Sequence, residues 1–243
     1  MFELHGSADP ATLKLLVCLE ELGLSYKFIA LDLERLDQWA PAHRALAPQG
    51  AVPVLVDGAR VMDDAAIAML YLADSHPKAN LLPAAPADHY DVQASIDVID
   101  GALLASLNLI GWHRQQTADA RAAYASALAA VPERPPIAGW SAVWRDAESD
   151  RLHRAQEKAG GAIARIEQTL STRQWLIGGG LTLADISAFA MVEGLPALLP
   201  DVVNAQRTPH VCAWLARVQG RPAVRRALGA AGRSAGTRYA PPQ

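Results

Sequence analysis

Apolar residues in the first part of the chain follow two alternating patterns. Short apolar runs at Phe2–His5 and Tyr26–Leu31 have the length of β-strands. Between them, from Pro10 to Gly23, apolar residues recur every three or four positions, which predicts an amphipathic helix that a glycine ends. The chain therefore begins with a predicted β-α-β arrangement.

The alternation continues into a predicted hairpin. Residues Leu36–Leu46 predict a weak helix. The apolar runs Val52–Val56 and Arg60–Met62 flank Asp57-Gly58, a pair that is typical of a tight hairpin turn. Another helical pattern begins directly after the hairpin. The predicted order of elements over this half is therefore β-α-β-α-β-β-α.

A proline-rich stretch divides the chain. Residues 77–86 contain three prolines and predict a linker. Beyond it the apolar pattern is helical throughout, with breaks at residues 131–139 and 178–180. We therefore predict a small α/β domain over residues 1–76 and an all-helical domain over residues 87–243.

The composition is that of a globular protein. Hydrophobic residues make up 51% of the chain and charged residues 19%, which is enough apolar material for a core and excludes disorder as the overall state. No uninterrupted apolar run approaches the length of a membrane helix, and the N-terminus lacks a signal pattern. Two cysteines, Cys18 and Cys212, are too few for a disulfide framework or a structural zinc site. We expect a reduced, cytoplasmic protein without a metal or a membrane partner.

The net charge of −3 is distributed unevenly along the chain. The first 80 residues carry 6 basic and 11 acidic side chains, whereas residues 201–243 carry 7 basic side chains and 1 acidic one. An acidic body does not suit nucleic acid, so we expect no nucleic-acid partner. The C-terminal arginines form either a solvated surface or a contact with a partner or an anionic ligand.

Two short motifs have an interpretation of their own. The step Val52-Pro53 enters a strand, where a proline can be cis; a cis bond there would expose the backbone groups of Val52 to a ligand. An ordinary trans proline is the alternative. Thr182, followed three residues later by Asp185, predicts a capping box at the start of an apolar helix, and we assign it no catalytic role.

Four stretches, taken in order, resemble the glutathione S-transferase family over nearly the whole chain. The resemblance implies a thioredoxin-like N-terminal domain, an all-helical C-terminal domain, dimerisation and glutathione as co-substrate. The run Thr12-Leu13-Lys14 also resembles bacterial β-aryl-etherases of this superfamily, which cleave lignin-derived ethers with glutathione. The four stretches are Leu4–Leu16, Pro48–Leu55, Asp63–Ile67 and residues 181–186 with 208–224.

The resemblance places the sulfur of glutathione at the loop before the first helix. A free thiol is mostly protonated at neutral pH, and a hydroxyl donor beside the positive end of a helix stabilises the thiolate. This loop offers two hydroxyls, Ser7 and Thr12, and no cysteine, which disfavours disulfide-exchange chemistry. We expect Thr12, on the first helical turn, to matter more than Ser7, although each hydroxyl also has an ordinary structural interpretation. Asp9 in the same loop would disfavour a thiolate.

The resemblance places the rest of the tripeptide on Gln49, Val52, Pro53, Asp63 and Asp64. Family members bind the γ-glutamyl group with a Glu-Ser pair; here Asp63 replaces the glutamate, and Asp64 puts a carboxylate where the ligand's carboxylate would go. Two like charges about 4 Å apart repel by roughly 1 kcal/mol in water and by about 4 kcal/mol at an effective dielectric near 20. Asp64 is also a good helix N-cap. We therefore predict a degraded glutathione site.

Three functions stay open at this point. The first is an enzyme that uses glutathione for transfer to, or β-aryl ether cleavage of, a small apolar aromatic electrophile bound between the domains. The second is a non-catalytic subunit that forms a heterodimer with an intact relative, and the third is a binding adaptor that has kept the fold. We favour the enzyme, as a homodimer or a heterodimer, while Asp64 favours the other two.

Overall fold

A computed structural model describes residues 1–115, 117–131 and 149–232 of the 243-residue chain. Its N-terminal part has the predicted order of strands and helices. Pro10 opens the first helix and the Asp57-Gly58 hairpin joins the last two strands, as the sequence predicts. The elements are β1 (Phe2–Gly6), α1 (Pro10–Glu21), β2 (Tyr26–Ala30), α2 (Pro41–Arg44), β3 (Val54–Asp57), β4 (Arg60–Met62) and α3 (Ala65–Ser75).

The predicted helix over Leu36–Leu46 is the main local difference. The structure has a short 3-10 turn, Asp37–Trp39, followed by the four-residue α2. Pro41 separates the two because it has no backbone N–H to continue the turn and is suited to the first position of a new helix.

The four strands form one mixed sheet in the order β2-β1-β3-β4. Strand β1 is parallel to β2 and antiparallel to β3, and β4 is antiparallel to β3. In this register His5 lies opposite Val54. The Val52–Pro53 peptide bond is cis, the first of the two alternatives that the sequence left open. The arrangement is thioredoxin-like, and the start of β3 lies beside the end of β1.

The rest of the described chain is helical, as predicted. The last helix of the N-terminal part ends at Ser75 and the next long helix begins at Pro86; the domain boundaries at residues 76 and 87 stay predictions. Residues 132–148 and 233–243 lie outside the described residues. The helices are α4 (Pro86–Gln115), α5 (Ala118–Ala129), α6 (Ser149–Leu170), α7 (Leu183–Val192), α8 (Leu195–Leu198), α9 (Pro209–Gln219) and α10 (Pro222–Ala230).

Helix α1 lies at the centre of the fold. It packs against α3 of its own domain and against α7 and α10 of the helical part. All ten residues of α7 are buried, and one continuous hydrophobic core runs through both parts. Among the described residues, the segment Pro86–Gly111 of α4 is long and apolar enough to cross a membrane, but half of its most apolar stretch is buried. Core helices meet the same criterion, so length and composition are weak evidence here.

The capping box at the start of α7 is present, as predicted. The carboxylate of Asp185 is buried and accepts hydrogen bonds from Thr182, from the backbone N–H of Leu176 at 3.0 Å and from Trp214 Nε1 at 3.0 Å. Burial raises the pKa of Asp185, and these donors act in the opposite direction. Asp185 therefore has a structural role: it joins α7 to α9 and to the preceding loop.

Candidate functional site

The start of α1 carries a closed cluster of three polar side chains. Asp9 is the helix N-cap, and its Oδ1 accepts the backbone N–H of Thr12 at 2.9 Å. Its Oδ2 accepts the hydroxyl of Thr12 at 2.8 Å and also the hydroxyl of Ser7. Thr12 Oγ1 in turn accepts the backbone N–H of Ser7 at 3.1 Å. The Asp9 carboxylate, which would repel a thiolate, is thus the acceptor for both candidate hydroxyls.

Burial differs between the two candidate catalytic residues. Thr12 is fully buried, and Ser7 is 8% exposed. A Cβ at Gly6 would lie 2.7 Å from Thr12 Oγ1, so only glycine permits the loop to approach this side chain so closely. A thiolate at this position would compete with Asp9 for either hydroxyl proton. Whether Thr12 matters more than Ser7 stays a prediction.

Behind the cluster lies a buried cation that the sequence analysis did not single out. Lys14 is 1% exposed and pairs with Asp100 of α4, whose Oδ1 also accepts the hydroxyl of Ser187 on α7 at 2.9 Å. Burial lowers the pKa of Lys14; Asp100 opposes this shift, and so, more weakly, do Asp64 and Asp9. The signal was present in the sequence, because α1 is otherwise apolar around this lysine.

Asp63 and Asp64 lie between β4 and α3, and both are exposed. Asp64 is the N-cap of α3, where its Oδ1 accepts the backbone N–H of Ile67 at 2.9 Å, so the capping interpretation is confirmed. Helix α3 packs against α1, the helix that follows the first loop, so the two predicted ends of the site belong to neighbouring elements.

The segment between α2 and β3 completes the predicted site. Gln49 is exposed, Val52 is half-buried and Pro53 is buried. Strands β1 and β3 are antiparallel, and His5 at the end of β1 pairs with Val54 at the start of β3. Ser7 and Val52 therefore lie in segments that leave the sheet at the same edge. His43 of α2 is buried and donates from Nε2 to the carbonyl of Ala51 at 2.8 Å. This bond ties α2 to the residue before Val52.

A narrow apolar cleft of about 30 Å³ opens between the start of α1 and the helical part. Asn108 contributes the amide to an otherwise apolar lining. A cleft between the domains was predicted from the sequence, but the residues that line it were not. They include Pro10 of α1, Leu107 and Asn108 of α4, Ala190 and Met191 of α7, and Leu195 of α8.

The opposite end of α1 forms ion pairs with arginines near the C-terminus. Arg221 donates from Nε and Nη2 to the two oxygens of Glu21, at 2.6 and 2.7 Å. Arg226 of α10 donates to Glu20 at 2.6 Å, and Tyr26 donates to the same carboxylate at 2.9 Å. Two arginines of the basic C-terminal segment are therefore engaged within the chain. In the described part of the chain no group of three or more metal-ligating side chains comes together.

Comparison with known proteins agrees with this architecture. The sequence profile described as the N-terminal domain of glutathione S-transferase matches residues 4–80, and that of the C-terminal domain matches residues 118–222. The chain is 30% identical over 224 residues to the protein LigF of Sphingobium sp. strain SYK-6, covering 88% of this chain and 87% of LigF.

Solved structures give the same result. The crystal structure of the beta-etherase LigF from Sphingobium sp. strain SYK-6 superposes with a TM-score of 0.82 and 26% identity, over 94% of this chain and 98% of LigF. A theta class glutathione S-transferase from Xanthomonas axonopodis pv. citri, crystallised with glutathione bound, gives a TM-score of 0.73 and 26% identity over 93% of this chain and 96% of that protein. The chain therefore belongs to the glutathione S-transferase family.

Proposed function

We propose that the protein is a cytoplasmic glutathione-dependent enzyme that cleaves β-aryl ethers or transfers glutathione to a small apolar aromatic electrophile. The observation that carries the proposal is the apolar cleft whose wall includes Pro10, the first residue of the helix that holds the Ser7–Asp9–Thr12 cluster. At about 30 Å³ this cleft has room for only a small group, so one end of an apolar substrate would enter it beside the positive end of α1 while the rest stays outside. The similarity to the beta-etherase LigF supports the choice of reaction.

The proposed reaction is a nucleophilic displacement. The thiolate of glutathione attacks the carbon that carries the aryl ether oxygen, so a C–S bond forms and the C–O bond breaks. The electron pair leaves with the phenolate oxygen, which takes a proton from solvent. In this proposal the hydroxyl of Thr12 or Ser7 donates a hydrogen bond to the thiolate. The positive end of the helix dipole also stabilises the negative charge.

Glutathione is proposed to bind across the edge where β1 ends and β3 begins. The backbone of Val52, with Pro53 and Gln49, would hold the middle of the tripeptide, and Asp63 would take the glutamyl ammonium. Asp64 would oppose the glutamyl carboxylate. Because Asp64 is exposed, solvent screens this repulsion, and the site would be weakened rather than abolished.

The proposal is tested with an aryl ether whose released phenol is fluorescent. We expect phenol release that depends on glutathione, together with a glutathione thioether detected by mass spectrometry. S-methylglutathione, which has no thiol, is the matched control and should give no phenol. Phenol release that is the same with and without glutathione would contradict the proposal.

A second candidate, the non-catalytic subunit of a heterodimer, is favoured by one observation. Both candidate hydroxyls already donate to Asp9, so each would have to give up that hydrogen bond to reach a thiolate. A calorimetric titration with glutathione separates the two functions: the enzyme must bind glutathione, whereas a non-catalytic subunit can do without it. An inactive chain that restores activity to a family relative would support the second candidate.

Dimerisation is part of either proposal. Large apolar side chains are exposed on β4 and α3 of one part and on α4 of the other, which suits an interface between the N-terminal domain of one chain and the helical domain of a second chain. Light scattering at micromolar concentration should give the mass of a dimer, and a monomer would count against it. The exposed residues are Val61, Ile67, Tyr90 and Val98.

A further inference from the structure

A second pocket lies on the helical part, and none of its lining residues belongs to α1 or to the other elements of the candidate site. Its walls are the segment 170–174 at the end of α6 and one face of α9. Its volume of about 260 Å³ is several times that of a water molecule, which occupies about 30 Å³. Arg173, Arg217 and His210 line it, so the pocket is basic.

Both arginines are held in place by the protein itself. Arg217 donates from Nη1 to the carbonyl of Gln174 at 2.8 Å, and its guanidinium carbon lies 5.7 Å from the centre of the Trp175 ring. Arg173 donates from Nη1 to the carbonyl of Leu176 at 3.4 Å. A guanidinium has five N–H donors, so each of these bonds leaves donors for a ligand. Arg217 is therefore oriented before any ligand arrives, whereas Arg173, among the described residues, is held only by one long hydrogen bond.

Glu167, an acidic side chain beside the pocket, contacts His210 and neither of the two arginines. Glu167 accepts the backbone N–H groups of His210 at 3.2 Å and Val211 at 2.8 Å, and so serves the start of α9. It also lies 4.0 Å from Nε2 of His210. Across residues 1–115, 117–131 and 149–232, neither Arg173 nor Arg217 has a carboxylate within ion-pair distance.

We propose that this pocket binds a small anion that carries phosphate or carboxylate groups. Arg217 and Arg173 donate to its oxygens, because the planar guanidinium fork matches the geometry of both groups. The remaining wall is polar and includes the amide side chain of Gln174. An alternative is that the arginines only fasten the loop after α6, in which case the pocket has no preference for anions.

The test is a calorimetric titration with inorganic phosphate and, separately, with succinate, against potassium chloride of equal ionic strength. We expect saturable binding of one anion per chain. Arg217→Gln and Arg173→Gln should each weaken it about tenfold, the order expected for a hydrogen bond to a charged group. Arg207→Gln is the matched control, because Arg207 is also exposed and also donates to a backbone carbonyl, that of Asp201 at 2.9 Å. The anion that binds more tightly identifies the ligand class.

Arg217 also supports the loop, so folding is measured alongside binding. Arg217→Lys keeps the charge but loses the fork and should give intermediate affinity at an unchanged unfolding temperature. Heat that does not saturate, or equal weakening by Arg207→Gln and Arg217→Gln, would overturn the proposal. Binding of glutathione to Arg217→Gln should equal that of the parent, so a failure here is distinguishable from a failure of the proposed enzymatic function.

Discussion

The two ends of α1 contact the helical part in different ways. At the N-terminal end Lys14 is buried, pairs with Asp100 and shares that carboxylate with Ser187. At the C-terminal end the side chains of Glu20 and Glu21 are mostly buried, whereas those of their partners Arg226 and Arg221 are 58% and 38% exposed. The same helix is therefore fixed at one end by an ion pair whose cation is buried and at the other end by ion pairs whose cations are in contact with solvent.

This difference indicates that the two ends of α1 have different roles. A pair with a buried cation is costly to break because the remaining charge is poorly hydrated, whereas a pair whose cation is in contact with solvent contributes less and is screened by salt. The buried network lies behind the Ser7–Asp9–Thr12 cluster, two residues along α1 from Thr12. We infer that the N-terminal end holds the candidate site in one geometry, while the C-terminal end mainly attaches the domain.

The largest effect should come from breaking the buried pair. Lys14→Met leaves Asp100, whose side chain is 22% exposed, without its cation, and we expect a loss of about 2–4 kcal/mol in the free energy of unfolding. Denaturant titration measures it. In the double variant Lys14→Met/Asp100→Leu most of this loss should disappear, because no unpaired charge remains. A double variant as unstable as the single one would show that packing, rather than charge, accounts for the loss.

The next effect concerns the hydroxyl cluster at the same end. Thr12→Ala removes a partner from Asp9 and from the backbone N–H of Ser7, and it removes the donor that we place at the thiolate. We expect kcat/KM for glutathione-dependent turnover to fall by an amount equivalent to about 2 kcal/mol. Ser7→Ala, which leaves Asp9 bonded to Thr12, should cost less. The assignment would be reversed by a Ser7→Ala variant without activity beside a Thr12→Ala variant with parental rates.

The strands and helices near this site were predictable from local pattern. The Asp57-Gly58 turn, the proline that opens α1 and the Thr182–Asp185 capping box each specify their own conformation through nearby backbone groups. The helix over Leu36–Leu46 was predicted too long because a single proline, Pro41, outweighs a weak apolar period.

The contacts within the site were not predictable in the same way. The partner of Lys14 lies 86 positions along the chain, and the residues that line the apolar cleft come from three separate helices besides α1. Such pairings depend on how the N-terminal and helical parts pack together, and the local sequence does not predict them. The sequence did show that a lysine stands among apolar residues, which indicates a buried cation but not its partner.

At the other end of α1, Arg221→Ala tests the surface attachment. Glu21 is mostly buried while Arg221 is 38% exposed, and their contact is bidentate, so we expect a loss of about 1 kcal/mol. The loss should shrink at high salt, which distinguishes it from the effect of Lys14→Met. Glutathione turnover should stay at the parental rate. A turnover defect as large as that of Thr12→Ala would mean that both ends of the helix set the site.

The last expected effect, no larger than that at Arg221, is at Asp64, the N-cap of α3. Because this carboxylate is exposed, the repulsion of a glutamyl carboxylate should be near the value for water, and Asp64→Ser should improve glutathione binding by about 1 kcal/mol, or roughly fivefold. The helix should hardly be affected, since serine replaces the bond that Asp64 makes to the N–H of Ile67. Asp64→Asn is the matched control, because it keeps the shape and removes the charge, and it should reproduce the gain. Titration calorimetry of the three proteins at two salt concentrations measures the effect, and a charge effect must decrease at the higher one. Parental affinity in both variants would show that Asp64 only caps α3 and that the glutathione site is not degraded there.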